Sequence, residues 1–230
     1  MTHPPELYAA LRAVDTPTIC NAIEVVQGRR GFAGFTRRAM LASEPGARMV
    51  GHARTAAIRG AAPPQRSPEA VKAMRADYYR HMSGGPRPAV AVVADLDPEP
   101  VGAFWGEINA AAHKGLGLAG ALTNGVMRDL DALDGFPVVA GSVGPSHGFV
   151  HVVAVGEPVE VSGLRVAPGD LVHADRHGAV VVPPEIAPRL PAAIARLAQT
   201  ERLVLEPARR EGFDLDALLA AWAAFEKARV

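Results

Sequence analysis

The stretch 88–141 constrains the fold of this chain more than any other. PAVAVVADLD (88–97) is an apolar run ending in acids, and AFWGEINAAAHKG (103–115) has helical character and closes on Gly115. LAGALT (118–123) is a second apolar run, MRDLDAL (127–133) a short helix, and FPVVAG (136–141) a third strand. Strands alternating with helices across short connections predict βαβ units and a parallel sheet. Open α/β sheets put their ligands where parallel strands end, so the residues after each strand carry the functional interest.

The flanks are simpler. Residues 5–13 and 17–26 predict short helices, the second with Thr16 as N-cap, Pro17 in its first turn, and Gly28 and Gly31 at its end. Arg48 to Ile58 has strand character, and Ser67-Pro68-Glu69 starts a helix running to about Met82. After Gly148 come short β segments punctuated by Gly and Pro, which predict antiparallel hairpins or a barrel-like closure. Residues 184–205 and 215–228 predict two further helices, with Asp214 in a capping position. With no internal repeat or evident linker, the chain reads as one α/β domain, core about 15–205 and helical C-terminal extension 206–230. The proline-rich 61–68 reads as a surface connection.

Composition narrows the partners. Lys+Arg and Asp+Glu both total 24, so the formal net charge is zero and no face is obliged to be basic, which argues against nucleic acid and anionic membranes. The same balance lowers the repulsion that opposes self-association. The single cysteine, Cys20, excludes an internal disulfide and suits a reducing compartment. MTHPPELYAA has no basic leader before an apolar core, and no run approaches the roughly 18 apolar residues that span a bilayer. The expectation is a soluble, cytoplasmic protein.

Three tempting motifs fail in context. GLGLAG (115–120) has the dinucleotide spacing, but a helix precedes it and a strand follows, the reverse of what a pyrophosphate site needs; a helix end and a turn explain it. GPSHG (144–148) resembles a nucleophile elbow around Ser146, yet a β-rich segment follows where a helix is required. His147 with His151, or His173 with Asp175 and His177, have spacings that permit metal ligation, but none lies in an HExxH helix. His147, in a glycine-rich loop, is the histidine expected to line a pocket.

One constellation survives. NGVMRD (124–129) leaves a buried strand, turns on Asn124-Gly125 and presents Arg128 and Asp129. Glu107, in the first turns of the preceding helix, is expected beside them. Arg128 offers a planar fork for a substrate carboxylate, Asp129 offers hard oxygen to Mg²⁺ or Mn²⁺, and Glu107 can orient water or move protons. Backbone N–H groups around Ile108 and Asn109 would add an anion-binding helix terminus. Read without context, the same residues also suit a surface Arg–Asp pair at a helix start.

WGE, twenty residues, RD, then FPVVAG and PGDLVHADRHGAVVVP resemble the RraA-like superfamily over roughly residues 15–205. That group includes class II pyruvate aldolases acting on 4-hydroxy-4-methyl-2-oxoglutarate and 4-carboxy-4-hydroxy-2-oxoadipate. The resemblance implies a swivelling-domain α/β fold with a central parallel or mixed sheet, flanking helices and a helical C-terminal tail. It implies homotrimers or homohexamers whose active sites lie between subunits. In residue terms, Arg128 binds the pyruvyl carboxylate, Asp129 ligates the metal, and Glu107 reaches the metal through water. A Glu from the C-terminal helix of a neighbouring subunit completes the site, with Glu201 the first choice and Glu206 the second. Two departures bear on substrate identity: Asn124-Gly125 replaces the common Asp-Gly turn, and the tail EPARREGFDLDALLAAWAAF differs from the aldolase form.

The expected function is therefore a divalent-metal-dependent lyase on a 2-oxo acid, by retro-aldol release of pyruvate or decarboxylation of an oxaloacetate-like acid. No Schiff base is expected, because Lys72, Lys114 and Lys227 are the only lysines and none ends a strand. The alternatives are a non-catalytic RraA-like regulator of a protein partner such as a ribonuclease, and a decarboxylase or hydratase of another acid on the same fold.

Overall fold

A computed structural model describes residues 3–229. The chain begins with helices α1 (Pro5–Arg12) and α2 (Thr16–Gln27). The cap of α2 is Asp15 rather than Thr16: its carboxylate accepts the Thr18 N–H at 3.0 Å from an extended backbone. An Asp side chain satisfies an orphan N–H and suits the positive end of the helix. Thr16 is thereby free to turn inward, where its hydroxyl meets His173 Nδ1 at 2.9 Å. Gly28 ends α2 in the left-handed conformation expected of it, φ 68°.

After β1 (Leu41–Ala42), the long strand β2 (Met49–Arg59) leads to α3 (Pro68–Ser83), which Ser67 caps as its sequence predicts. The alternating segment follows as β3 (Ala89–Asp95), β4 (Ala103–Trp105), α4 (Glu107–Gly115), β5 (Leu118–Thr123), β6 (Val126–Met127), β7 (Val138–Ala140) and β8 (Ser142–Val143). The expected helix over 103–115 is thus two elements. Ala103, Phe104 and Trp105 are buried and pair in parallel with β6, and the helix starts only after the extended Gly106. Residues 127–133 likewise split into the end of β6 and a single 3-10 turn, Leu130–Ala132.

The remaining strands are β9 (His151–Val155), β10 (Val159–Val161), β11 (Leu164–Val166), β12 (Leu171–Asp175) and β13 (Gly178–Val182). They form the anticipated antiparallel hairpins, β10 with β11 and β12 with β13. Helices α5 (Leu190–Ala208) and α6 (Leu215–Arg229) finish the chain, α6 capped by Asp214. Proline-rich residues 183–188 delay the helix expected from 184, so α5 begins at Leu190 after a 3-10 turn. Among the described residues no helix is long and apolar enough to cross a membrane.

The main sheet runs β1-β7-β5-β3-β2-β12-β13, with β9 also on β2. Its heart, β2, β3, β5 and β7, is parallel. β3 is buried at every residue, as a strand covered on both faces must be. β4, β6 and β8 form a separate small parallel sheet past the ends of β3 and β5. Helices α1, α2 and α5 cover one region of the core with β12 and β13; α3 and α4 cover another.

His113 anchors α4 to α3. Its Nδ1 donates to the Asn109 carbonyl at 2.6 Å, so Nε2 accepts from the Tyr78 hydroxyl, also at 2.6 Å. Burial lowers its pKa to about 4. The unfolded chain therefore binds a proton that the folded chain refuses, and this contribution is intact above pH 6.5 and lost as pH falls towards 4. The shift is worth roughly 3 kcal/mol. Denaturant unfolding at pH 7 and pH 4 should show the parent losing about that much more stability than His113→Gln; parallel losses would reject this role.

Candidate active site

The small sheet sets the geometry. β6 runs beside β4, and the Arg128 N–H donates to the Trp105 carbonyl at 2.8 Å. Arg128 and Asp129 therefore emerge beside Gly106 and the first turn of α4. The Glu107 N–H donates to Asp129 Oδ2 at 3.2 Å, so a side chain more than twenty residues away caps this helix. Arg128 Nε lies 3.6 Å from the same oxygen, with both side chains one-third exposed. Asp129 takes a left-handed backbone, φ 53° and ψ 45°, a conformation that Asp tolerates better than most residues. Such an outlier is often retained where a side chain must be aimed.

Gly106 keeps this arrangement close. A Cβ there would lie 2.6 Å from Asp129 Oδ2 and 3.1 Å from Arg128 Cγ. Glycine is the only residue that lets the backbone before α4 approach the pair so nearly. Neither the WGE motif nor any turn pattern advertises this requirement.

Glu107 and Ile108 are exposed beside the pair, and their N–H groups with that of Asn109 form the first turn of α4. The Asn109 side chain is structural: its Nδ2 donates to the Phe104 carbonyl and its Oδ1 accepts from the Tyr79 hydroxyl at 3.0 Å. His147 lies at the other end of β4, in an exposed loop, where the neighbouring Ser146 carbonyl accepts the Ala103 N–H. The structure does not bring His147 to Arg128. Glu201 and Glu206 are exposed on α5, whose packing partners include α1, α2 and α6. Strands β5 and β12 lie three places apart, about 14 Å, so α5 sits over a different part of the same chain.

One pairing beside the site was not legible in the sequence, although Asn124 was read as a turn residue. Asp95 ends β3 and Asn124 follows β5, and they clasp: Asn124 Oδ1 accepts the Asp95 N–H at 2.9 Å, and Asn124 Nδ2 donates to the Asp95 carbonyl at 2.8 Å. An amide meets both needs at once; an aspartate cannot donate. Burial raises the pKa of Asp95, whose Oδ2 has no hydrogen-bond partner among the described residues. The available signal was the pair of acids and amides closing VVAD and LTN.

The other candidates resolve as frame. Asp175 accepts the Thr16 and His177 N–H groups, while His173 Nε2 faces the Leu11 and Val14 carbonyls. Burial pushes the Cys20 thiol up to about 11, away from nucleophilic use. Among the described residues no three His, Cys, Asp or Glu side chains form a ligand cluster. A hard cation at Asp129 would take few protein oxygens and keep most of its water. That donor set fits Mg²⁺, which is usually held by one or two carboxylates, and Asp129 Oδ1 has no protein partner recorded among the described residues.

A family model described as RraA-like, Aldolase/RraA, matches residues 16–181, a span that includes Glu107, Arg128 and Asp129 and stops before Glu201. A crystal structure of an uncharacterized protein from Pseudomonas syringae pv. tomato str. DC3000 is similar in fold, with a TM-score of 0.71 at 23% identity over 100% of this chain and 95% of that one. RraAS2 of Streptomyces coelicolor, described as an unusual member of the RNase ES inhibitor RraA protein family, gives a TM-score of 0.68 at 25% identity, covering 88% and 96%. An uncharacterized protein of Methanocaldococcus jannaschii is 29% identical over 107 residues, 45% of this chain and 51% of that protein. The chain thus spans about half the length of the curated relative it matches.

The Asp95–Asn124 clasp is directly testable. Asn124→Asp removes the donor and sets a carboxylate against the Asp95 carbonyl, which should cost about 1–3 kcal/mol in denaturant unfolding at pH 7. Unchanged stability would mean the clasp contributes little.

Proposed function

Because the chain belongs to the RraA-like family, we propose that it is a divalent-metal-dependent carbon–carbon lyase acting on 2-oxo acids. The observation that carries this reading is the meeting of Asp129, Arg128 and the first turn of α4 at one point. The Arg128 guanidinium offers a paired donor face to the C1 carboxylate of a 2-oxo acid. The N–H groups opening α4 favour the same negative charge. Asp129, with Glu107 nearby, would hold a divalent cation, Mg²⁺ or Mn²⁺, whose positive charge would stabilise the oxygen of the developing enolate.

In retro-aldol cleavage the C3–C4 bond breaks and its electron pair remains on C3, delocalised into the C2 carbonyl. The C4 hydroxyl proton leaves as that carbon becomes a carbonyl, and Glu107 is the exposed carboxylate assigned to take it. Return of a proton to C3 gives pyruvate. Decarboxylation of oxaloacetate leaves the same electron pair on C3 as carbon dioxide departs, so one site serves both reactions.

Glu201 enters through assembly. On its own chain it sits on α5, away from Asp129, so its proposed role requires a trimer or hexamer in which α5 of one subunit closes the site of the next. Such closure would exclude water from the enolate.

With oxaloacetate, EDTA should abolish pyruvate formation and Mg²⁺ or Mn²⁺ should restore it. Arg128→Lys should raise KM about tenfold or more by losing the paired donors, and Asp129→Ala should lose Mn²⁺ binding by calorimetry together with turnover. Full activity of metal-stripped protein would refute the metal, and absence of turnover with any 2-oxo acid would favour the regulator. For the shared site, Asp129→Ala and Glu201→Ala chains, each inactive alone, should regain partial activity when dissociated and reassembled together. Failure to recover any would remove Glu201.

A further inference from the structure

A pocket of about 280 Å³ opens beside the first turn of α4, between α3, β4 and β9. Val71, Tyr78, Tyr79, Phe104, Val150 and Val152 make most of its wall, Arg75, Asn109 and His151 also line it, and Ile108, whose backbone follows the amide bonded to Asp129, is part of the lining. Ile108 is 80% exposed. The volume is below that of a pocket for a whole ligand and suits one substituent.

The polar groups around the pocket are largely committed. Asn109 satisfies Phe104 and Tyr79, and His151 turns its Nδ1 to the Phe149 carbonyl at 2.8 Å. Arg75 also lines the pocket but is exposed, so its guanidinium keeps contact with water. A carboxylate inside would exchange its water for the solvated Arg75 and an otherwise mostly apolar wall, whereas an apolar group would cover that wall at no such cost. The lining also offers ring edges and faces to a flat partner.

We infer that this pocket receives the far end of the substrate, and that the preferred 2-oxo acid carries an aromatic or branched apolar group on C4 in place of a second carboxylate. The inference rests on the lyase reading, which sets the C1 carboxylate at Arg128, and adds to it that C4 extends past Ile108.

Calorimetry on the Mn²⁺-loaded protein tests it, with 2-oxobutanoate and 4-phenyl-2-oxobutanoate as unreactive probes. The phenyl acid should bind at least about tenfold tighter, the gain expected from removing one ring face from water. Val71→Trp, on a partly exposed turn of α3, fills the pocket and should bring the affinity ratio to about one. Binding of both acids with equal affinity in the parent, or a ratio unmoved by Val71→Trp, overturns the pocket assignment and leaves the lyase reading standing. Failure of the protein to bind either acid overturns both.

Discussion

Parallel pairing of β2, β3 and β5 brings their carboxyl ends to one edge, and everything proposed for this protein happens there. An edge of that kind leaves backbone groups without ladder partners, and they must be satisfied locally. Side chains do this here. Asp97 accepts the Gly60 and Ala61 N–H groups after β2 while pairing with Arg59, and Asn124 clasps Asp95 between β3 and β5. The strand ends are thereby fixed relative to one another independently of the residues proposed to be catalytic. β6 leaves that fixed edge two residues later, which gives Arg128 a defined point of departure.

The same economy governs α4. Its first N–H is satisfied by Asp129 across the small sheet, not by a residue of its own N-terminal approach. Capping and the proposed metal binding would therefore share one carboxylate: Oδ2 holds the helix, and Oδ1 is the oxygen proposed for the cation. From beneath, Tyr78 and Tyr79 hold His113 and Asn109, so α4 is braced at both levels of its first two turns. Rigid support of this kind is what a positioned charge requires, since electrostatic stabilisation depends on groups that do not reorganise.

The parallel heart was legible because its signal is local and strong. LAGALT spans β5 residue for residue, and VVAD ends β3. The errors fall where tertiary contacts override local preference. Ala103-Phe104-Trp105 reads as the start of a helix, yet burial beside β6 makes it a strand, and Gly106 then resets the backbone. Thr16 looks like a cap because Thr before Pro often is one, but Asp15 competes for that place and His173, distant in sequence, takes the hydroxyl. The proximity of Glu107 to Arg128-Asp129 followed from strand order alone. The use of Asp129 as a helix cap did not, since no spacing rule links a carboxylate to an amide on another segment.

The block PGDLVHADRHGAVVVP illustrates a different limit. It is among the most recognisable features of the sequence, yet its acids serve the frame: Asp170 accepts the Ala167 N–H, and Asp175 ties the β12–β13 turn to the start of α2. Recognition through such a block identifies the scaffold and says little about the ligand. The residues that shape the pocket beside α4 come from α3, β4, the loop before β9 and β9 itself, and no short pattern joins them. They meet only because β9 pairs with the far half of β2 and carries Val150 and Val152 against α3. On the proposed reading, selectivity is therefore written in tertiary contacts, and a change in the packing of α3 on β9 would alter the preferred acid while leaving Glu107, Arg128 and Asp129 untouched.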